Sequence, residues 1–339
     1  MRILIVAGGT GGHIYPAVVI ARKMVSDGHE IIWLGSQNRM EEQILNNYNI
    51  KFKGFDIKKT GEKRFWFLNN IKELFKIFKY TKNIKPDKLF STGGYISFYF
   101  LFIAGLLKIP YYLFEPNYLP GRVTKWFSRK AEKVFLAFKD SENYLKGDIV
   151  FSGTPVRSSI KNIEKKGKKL MIFGGSQGSS SINLAIFSLI KNKFFYNHNI
   201  ELLWITGDRD YEKINRKVGN KNYIKLYSYV NNIEKIYKKS KFAITRAGAL
   251  TVAEIILSET PAILIPYPHA KDNHQYYNAK IISEKNGGII IKDDENIVQN
   301  IKKYLLKLQN PEYYEKMREN LKTIMNKEAE KVICEEMGC

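Results

Sequence analysis

His13 follows a cluster of glycines. In the run 7–16 (AGGTGGHIYP), Gly8, Gly9, Gly11 and Gly12 precede it. An imidazole titrates near neutrality, so a modest change in its surroundings makes it a usable base. At the start of a helix the same residue also suits capping or packing. A second polar pair, Glu115 and Asn117, lies in YYLFEPN, where Pro116 and Pro120 fix the loop. A third set lies in residues 266–279 (PYPHAKDNHQYYNA), with His269, Asp272, His274 and Gln275. Their spacing fits a zinc cluster poorly and no cysteine is near, so a binding loop with amide and imidazole hydrogen bonds fits better than a metal site. The fourth set is a pair of glycine turns, GGSQGS at 174–179 and RAGALT at 246–251. Ser176 and Thr251 offer hydroxyls there, and Glu254 lies one turn further on, within reach of a ribose diol. Glycines also serve tight α/β packing. Two turns with hydroxyls and an acid at matching offsets point instead to a gripped diphosphate.

Each of these residues stands at the end of a short apolar run. The first series of runs is MRILIV, IIWLG, KLFSTGG, YYLFEPN, LAF and IVFSGTP. The second is KLMIFGG, ELLWITG, KFAITRAGA, AILIPYP and GGIII. Such runs alternating with helical stretches predict parallel sheets covered by helices. Both series open with a strand, a glycine turn and a helix, whose N-terminus presents unpaired N–H groups to an anion. The repetition predicts an α/β protein of two doubly wound domains, spanning 1–154 and 155–321, with a hinge after Gly153-Thr154-Pro155. Residues 311–337 read as helical, with Met317, Leu321, Ile324 and Met325 at three- and four-residue spacing. The nicotinamide and flavin fingerprint fits poorly. After Gly9 and Gly11 its final glycine position falls on Ile14, and the second strand ends in Gly35-Ser36 with no acid.

At 339 residues the chain is long enough for two such domains. No apolar run reaches the roughly 18 residues of a membrane span. The N-terminus carries no signal-peptide pattern, and the two cysteines, Cys334 and Cys339, form no disulfide framework, so the chain reads as cytosolic. Its net charge of +22 fits nucleic acid, an anionic membrane or a lysine-rich proteome. Residues 51–90 stand out, with twelve Lys/Arg against four Asp/Glu. Within them a helical pattern puts Leu68, Ile71, Leu74, Phe75 and Phe78 on one face and Lys72, Lys76 and Lys79 off it. Core packing explains such a face. Phe65, Trp66 and Phe67 before it add apolar surface, which suits docking on an anionic bilayer.

Seven motifs in order, GGTGGHIYPA, STGGYIS, EPN, GTPVR, GGSQGS, RAGALTVAE and PHAKDNHQYYNA, resemble the MurG family over essentially the whole chain. The resemblance implies a GT-B fold: two Rossmann-like domains facing across a cleft, with a C-terminal helix near 322–339 returning to the first. It implies transfer of GlcNAc from UDP-GlcNAc to undecaprenyl-diphospho-MurNAc-pentapeptide, with inversion, in peptidoglycan synthesis. Carried over by motif, Ser176 and the turn Ala249, Leu250, Thr251 hold the diphosphate and Glu254 the ribose. Arg157 meets the nucleotide, Val230 the uracil, and Gln275 with His274 the diphosphate or sugar. Thr10, Gly11, Gly12 and Asn117 close on GlcNAc and acceptor. His13 is the expected base, with Glu115 as runner-up. No cofactor is implied and no D-x-D metal motif is read near the site. The implied partners are the two substrates, the anionic cytoplasmic leaflet and further cell-wall synthesis proteins, and the location is the inner face of the membrane, peripherally. Leu68, Ile71, Leu74 and Phe75 are the expected lipid-facing patch, and the aromatic run Phe98, Tyr99, Phe100 and Phe102 deepens it. The family's usual histidine before the Glu is Phe114 here.

The nearest alternative is another GT-B enzyme, such as a UDP-sugar:diacylglycerol glycosyltransferase; a UDP-GlcNAc 2-epimerase shares the scaffold without needing a lipid surface. A basic nucleic-acid-binding protein would carry a recognisable module, and none is present.

Overall fold

Runs such as ILIV, IIWL and LMIF are apolar on both faces, which a strand tolerates only where helices cover its sheet from both sides. A computed structural model describes the chain apart from residues 10, 38–39, 47, 59–69, 162, 164–166, 176–177 and 326–327 and the side chains of 40, 43 and 46. Two compact units result: Met1–Val156 with Asn326–Cys339, and Arg157–Met325.

The first unit holds seven parallel strands. They are β1 (Arg2–Val6), β2 (Glu30–Ser36), β3 (Lys51–Phe55), β4 (Lys88–Ser91), β5 (Tyr111–Glu115), β6 (Lys133–Leu136) and β7 (Ile149–Phe151). Their order is β3-β2-β1-β4-β5-β6-β7. Register pairs Val6 with both Leu34 and Ser91, so the turns after β1 and β4 lie side by side. The order reverses between these two strands, where a doubly wound sheet leaves a crevice beyond its carboxyl ends. Ile3, Leu4, Ile5 and Val6 are fully buried, and Leu4, Val6, Leu113 and Leu136 join Ile96, Tyr99 and Phe100 in one core.

The second unit repeats the plan with β8 (Lys169–Phe173), β9 (Leu202–Ile205), β10 (Ile224–Tyr227), β11 (Ser240–Thr245), β12 (Ala262–Leu264) and β13 (Gly288–Ile290). Their order is β10-β9-β8-β11-β12-β13, and all pairs are parallel. Its switch point falls between β8 and β11, whose ends carry the two glycine turns. Gly178 is indispensable there: it sits at φ +75, and a Cβ on it would come within 2.2 Å of the Thr206 carbonyl oxygen. Ile172, Ile182, Trp204, Ile244 and Ile263 fill the core beneath.

The structure departs from the sequence reading in three places. Residues 311–337 form two helices, Pro311–Leu321 in the second unit and Ala329–Met337 in the first. Asn310 caps the earlier one, its side chain accepting from Tyr313 N, with Pro311 at the first helical position. The helix Ile71–Ile84 is divided lengthwise: Ile77 is buried, Leu74 and Phe78 pack against the core, and Ile71 and Phe75 are exposed. Leu74, in the expected patch, is half-buried against the core of this unit, and the helix that carries it packs beside Ser97–Leu106. Tyr99 and Phe100 leave that patch, both fully buried, while Leu68 lies outside the described residues. Among the described residues, no helix is long and apolar enough to cross a membrane.

Candidate active site

Gly11 and Gly12 are the first residues of the helix Gly11–Ser26, so the turn after β1 feeds its N-terminus into the crevice. Thr10 is outside the described residues. Trp33 of β2 donates its indole N–H to the Ala7 carbonyl (3.1 Å), which anchors the start of the turn. His13 comes next, half-buried, with Nδ1 2.7 Å from the Thr92 carbonyl oxygen. A carbonyl only accepts, so Nδ1 carries the hydrogen, and in the neutral ring Nε2 is the nitrogen with the lone pair. Two buried serines hold that carbonyl's turn. Ser97 Oγ donates to the Gly93 carbonyl (2.6 Å), Ser91 Oγ to Ser97 Oγ (2.7 Å), and Gly93 N to Ser91 Oγ (3.1 Å).

Glu115, at the end of β5, is 2% exposed and accepts four hydrogen bonds. Asn117 N (3.1 Å) and Asn117 Nδ2 (3.2 Å) reach Oε1; Gly121 N (3.0 Å) and Thr124 Oγ1 (2.7 Å) reach Oε2. A carboxylate has about four acceptor sites. The loop that follows it takes them all, so the carboxylate that was the runner-up base also ties that loop to the strand end. Phe114 is fully buried and packs.

In the second unit the helix Ala249–Leu257 opens after Gly248 with no acid in its first turn, leaving an N-terminus suited to an anion. Ala249 and Thr251 are buried and Leu250 half-buried. Ser176 in the opposite turn is outside the described residues. Glu254 is buried and accepts from the Tyr237 hydroxyl (3.3 Å). Burial pushes its carboxyl up to about 7; the Arg157 charge and the Tyr237 hydrogen bond pull the other way, and Glu234 adds to the rise. Tyr237 and Glu234 share the helix Ile233–Lys239. Glu234 pairs with Arg157 Nη1 at 3.3 Å, and Arg157 Nη1 also donates to the Asn231 carbonyl (3.2 Å), one residue past the half-buried Val230. One short helix thus fixes both Arg157 and Glu254.

Gln275 Oε1 accepts from Tyr267 N (3.0 Å), so its amide nitrogen is turned away as a donor. His274 gives its Nδ1 hydrogen to the Lys271 carbonyl (2.8 Å), which orients the ring. His269 is exposed beside Tyr267. Among the described residues no group of three His, Cys, Asp or Glu is arranged to hold a metal. A D-x-D triplet lies at Asp208-Arg209-Asp210, after β9. Asp210 is occupied by Ser180 Oγ (2.8 Å) and Asn183 Nδ2 (2.9 Å). Burial works against its ionisation, yet those bonds and Arg209 hold its carboxyl below the usual range.

The chain matches the glycosyltransferase family 28 N-terminal domain over residues 3–136 and the family 28 C-terminal domain over 169–336. A UDP-N-acetylglucosamine--N-acetylmuramyl-(pentapeptide) pyrophosphoryl-undecaprenol N-acetylglucosamine transferase of Prochlorococcus marinus subsp. pastoris is 35% identical, covering 95% of this chain and 93% of the relative. The chain belongs to the MurG family. The Clostridioides difficile member is 34% identical over 91% of this chain and 81% of its own. The crystal structure of Acinetobacter baumannii MurG superposes with a TM-score of 0.79 at 22% identity, covering 100% of this chain and 99% of that one. A Neisseria meningitidis UDP-GlcNAc 2-epimerase bound to UDP-GlcNAc shares the fold, with a TM-score of 0.68 at 18% identity and 99% of each chain covered. The fold is GT-B.

In this MurG-family chain, sequence reasoning missed the residue that joins the loops of the second unit. Arg246 is buried in an ion pair with Asp293 (2.7 Å). Nη2 also donates to Ser179 Oγ (2.7 Å) and Ser181 Oγ (2.8 Å), and Nη1 to the carbonyls of Ile265 (3.1 Å) and Pro266 (3.2 Å). Its presence in RAGALTVAE was the only signal, and Asp293 had none. Glu41 was missed as well. It is buried against the first glycine turn, its Oε1 2.2 Å from where a Cβ on Gly8 would fall.

Proposed function

We propose that this chain transfers GlcNAc from UDP-GlcNAc to the C4 hydroxyl of MurNAc in undecaprenyl-diphospho-MurNAc-pentapeptide, with inversion at the anomeric carbon. The names of relatives 30–35% identical over most of the chain support the substrates. The state of His13 carries the chemistry. With Nδ1 committed to the Thr92 carbonyl, Nε2 takes the proton of the C4 hydroxyl while that oxygen attacks the anomeric carbon and the bond to UDP breaks. A single displacement inverts. The charge growing on the departing diphosphate meets the N-terminus of the helix Ala249–Leu257, Ser176, and the amide nitrogen of Gln275 with His274 beside it. Arg157, Val230 and Glu254 hold the nucleoside. Thr10, Gly11, Gly12 and Asn117 hold GlcNAc and acceptor.

The lipid acceptor requires work at a membrane surface. Phe75 (69% exposed), Ile71 (57%) and Leu106 (59%) lie on adjacent helices, and Trp126 (56%) and Phe102 extend them. With Lys72, Lys76 and Lys125 nearby in sequence, this surface suits an anionic leaflet and peripheral attachment.

The test uses purified protein, labelled UDP-GlcNAc and a short-chain analogue of the MurNAc lipid, with diacylglycerol as rival acceptor. Label is expected on the MurNAc lipid alone, and His13→Ala should lower kcat by about 100-fold or more. Transfer to diacylglycerol would overturn the acceptor. Full activity in His13→Ala would overturn the base.

A further inference from the structure

The hydroxyl of Tyr237 has no use in packing. We propose that Tyr237, itself enclosed by protein, is a positioning residue that sets the preference for ribose over 2-deoxyribose in the donor, by holding Glu254 ready for the 2′-hydroxyl; this rests on the reading above, in which Glu254 meets the ribose.

The helix Ile233–Lys239 buries Ile233, Ile236 and Tyr237, the last of them completely. A phenylalanine would fill the same space, whereas a buried hydroxyl costs stability unless it is bonded. Among the described residues its one partner is Glu254, whose Oε2 accepts at 3.3 Å. Glu254 is buried too, and among the described residues its Oε1 accepts from no neighbour. A carboxylate has about four acceptor sites and no hydrogen to give. Shut away from water with one donor, it lacks the partners that a diol supplies. Tyr237 makes that demand strict in two ways. Its bond to Oε2 stops the carboxylate from rotating, so Oε1 keeps one direction. Burial raises the Glu254 carboxyl, and the phenol pulls the other way, toward the ionised form. Hydrogen bonds to an ionised acceptor are roughly twice as strong as those between neutral groups. A sugar without the 2′-hydroxyl then leaves a buried charge short of a donor, the situation in which one missing hydroxyl costs most.

UDP-GlcNAc and its 2′-deoxyuridine analogue differ by this hydroxyl alone. Each is used to displace labelled UDP-GlcNAc at about pH 8, above the Glu254 value of about 7, and the ratio of the two Kd values is read. The wild-type protein should prefer UDP-GlcNAc by about tenfold or more, the scale of a hydrogen bond to a charged group. Tyr237→Phe should bring that ratio to within about threefold, with the loss falling on UDP-GlcNAc. Both ligands are read on one sample, so a partly unfolded preparation shifts neither ratio. Tyr237→Met, which removes the hydroxyl with a different packing, is the second variant and should give the same result. Glu254→Gln should also lower the preference, and adding Tyr237→Phe to it should change the ratio by less than about twofold. A wild-type ratio in Tyr237→Phe, whether both ligands weaken together or neither does, would overturn the proposal alone. So would a further drop in the double variant. A wild-type protein with no preference, or a Glu254→Gln that keeps it in full, would overturn the ribose assignment and the proposal with it.

Discussion

Moving from about pH 8 to about pH 6 should put a proton on Glu254 and weaken the grip on UDP-GlcNAc. Burial holds this carboxyl at about 7, against 4.5 for a free glutamic acid. The fold therefore favours its neutral form. Its contribution to stability is complete below the unfolded value and is lost as pH rises through about 7, a cost of about 3 kcal/mol for the empty protein at alkaline pH. A ribose diol reverses the balance, since two hydroxyl donors favour the carboxylate. Binding should then be about tenfold tighter at pH 8 than at pH 6, about 1.4 kcal/mol, with a proton released on binding below neutrality. Titration calorimetry in two buffers of different ionisation enthalpy reads both quantities. UDP-GlcNAc is the ligand to use, because neither of its phosphates has a second ionisation to confuse the result. Glu254→Gln should flatten the dependence. Equal affinity across the range, or a wild-type profile that Glu254→Gln reproduces, would refute the reasoning.

Ile71→Asp with Phe75→Asp should abolish sedimentation with anionic vesicles while leaving UDP-GlcNAc binding intact; undiminished sedimentation would remove the patch from the account. Arg246→Met should destabilise the protein by about 3–5 kcal/mol, because Asp293 is left as a buried unpaired charge, and Asp293→Leu added to it should recover much of that. Calorimetric melting of the single and double variants checks this, and equal melting temperatures for the two would count against the ion pair as described.

The strands and both switch-point turns were legible because buried parallel strands are continuously apolar and their exits need glycine. The lengthwise division of the helix Ile71–Ile84 was not. Its periodicity marks one broad apolar face, and only packing against residues from elsewhere in the chain decides that Leu74 is half-buried and Phe75 exposed. Tyr99 and Phe100 were misread for the same reason, as an all-apolar helix gives no sign of which side meets the core. At the site, His13 and Glu254 could be picked out from their motifs, whereas the state of each could not. The tautomer of His13 depends on a carbonyl 79 residues away, and the work of Glu115 depends on a loop conformation that composition does not encode. Asp293 meets Arg246 across 47 residues, with no local pattern to announce it.

The first unit closes only with the helix Ala329–Met337, which packs on the helix Gly11–Ser26, receives the Lys88 ammonium at the Met337 carbonyl, and pairs Glu336 with Lys133 at 2.5 Å. The second unit is continuous from Arg157 to Met325. During synthesis the half that begins first is therefore completed last. Until that helix leaves the ribosome the first unit lacks Ile333, Cys334 and Met337, all three buried in the finished protein. A messenger cut short near codon 325 would yield every residue proposed to hold UDP-GlcNAc, attached to a first unit lacking its closing helix. Such a fragment should bind the nucleotide and be cleared by quality-control proteases from its other half.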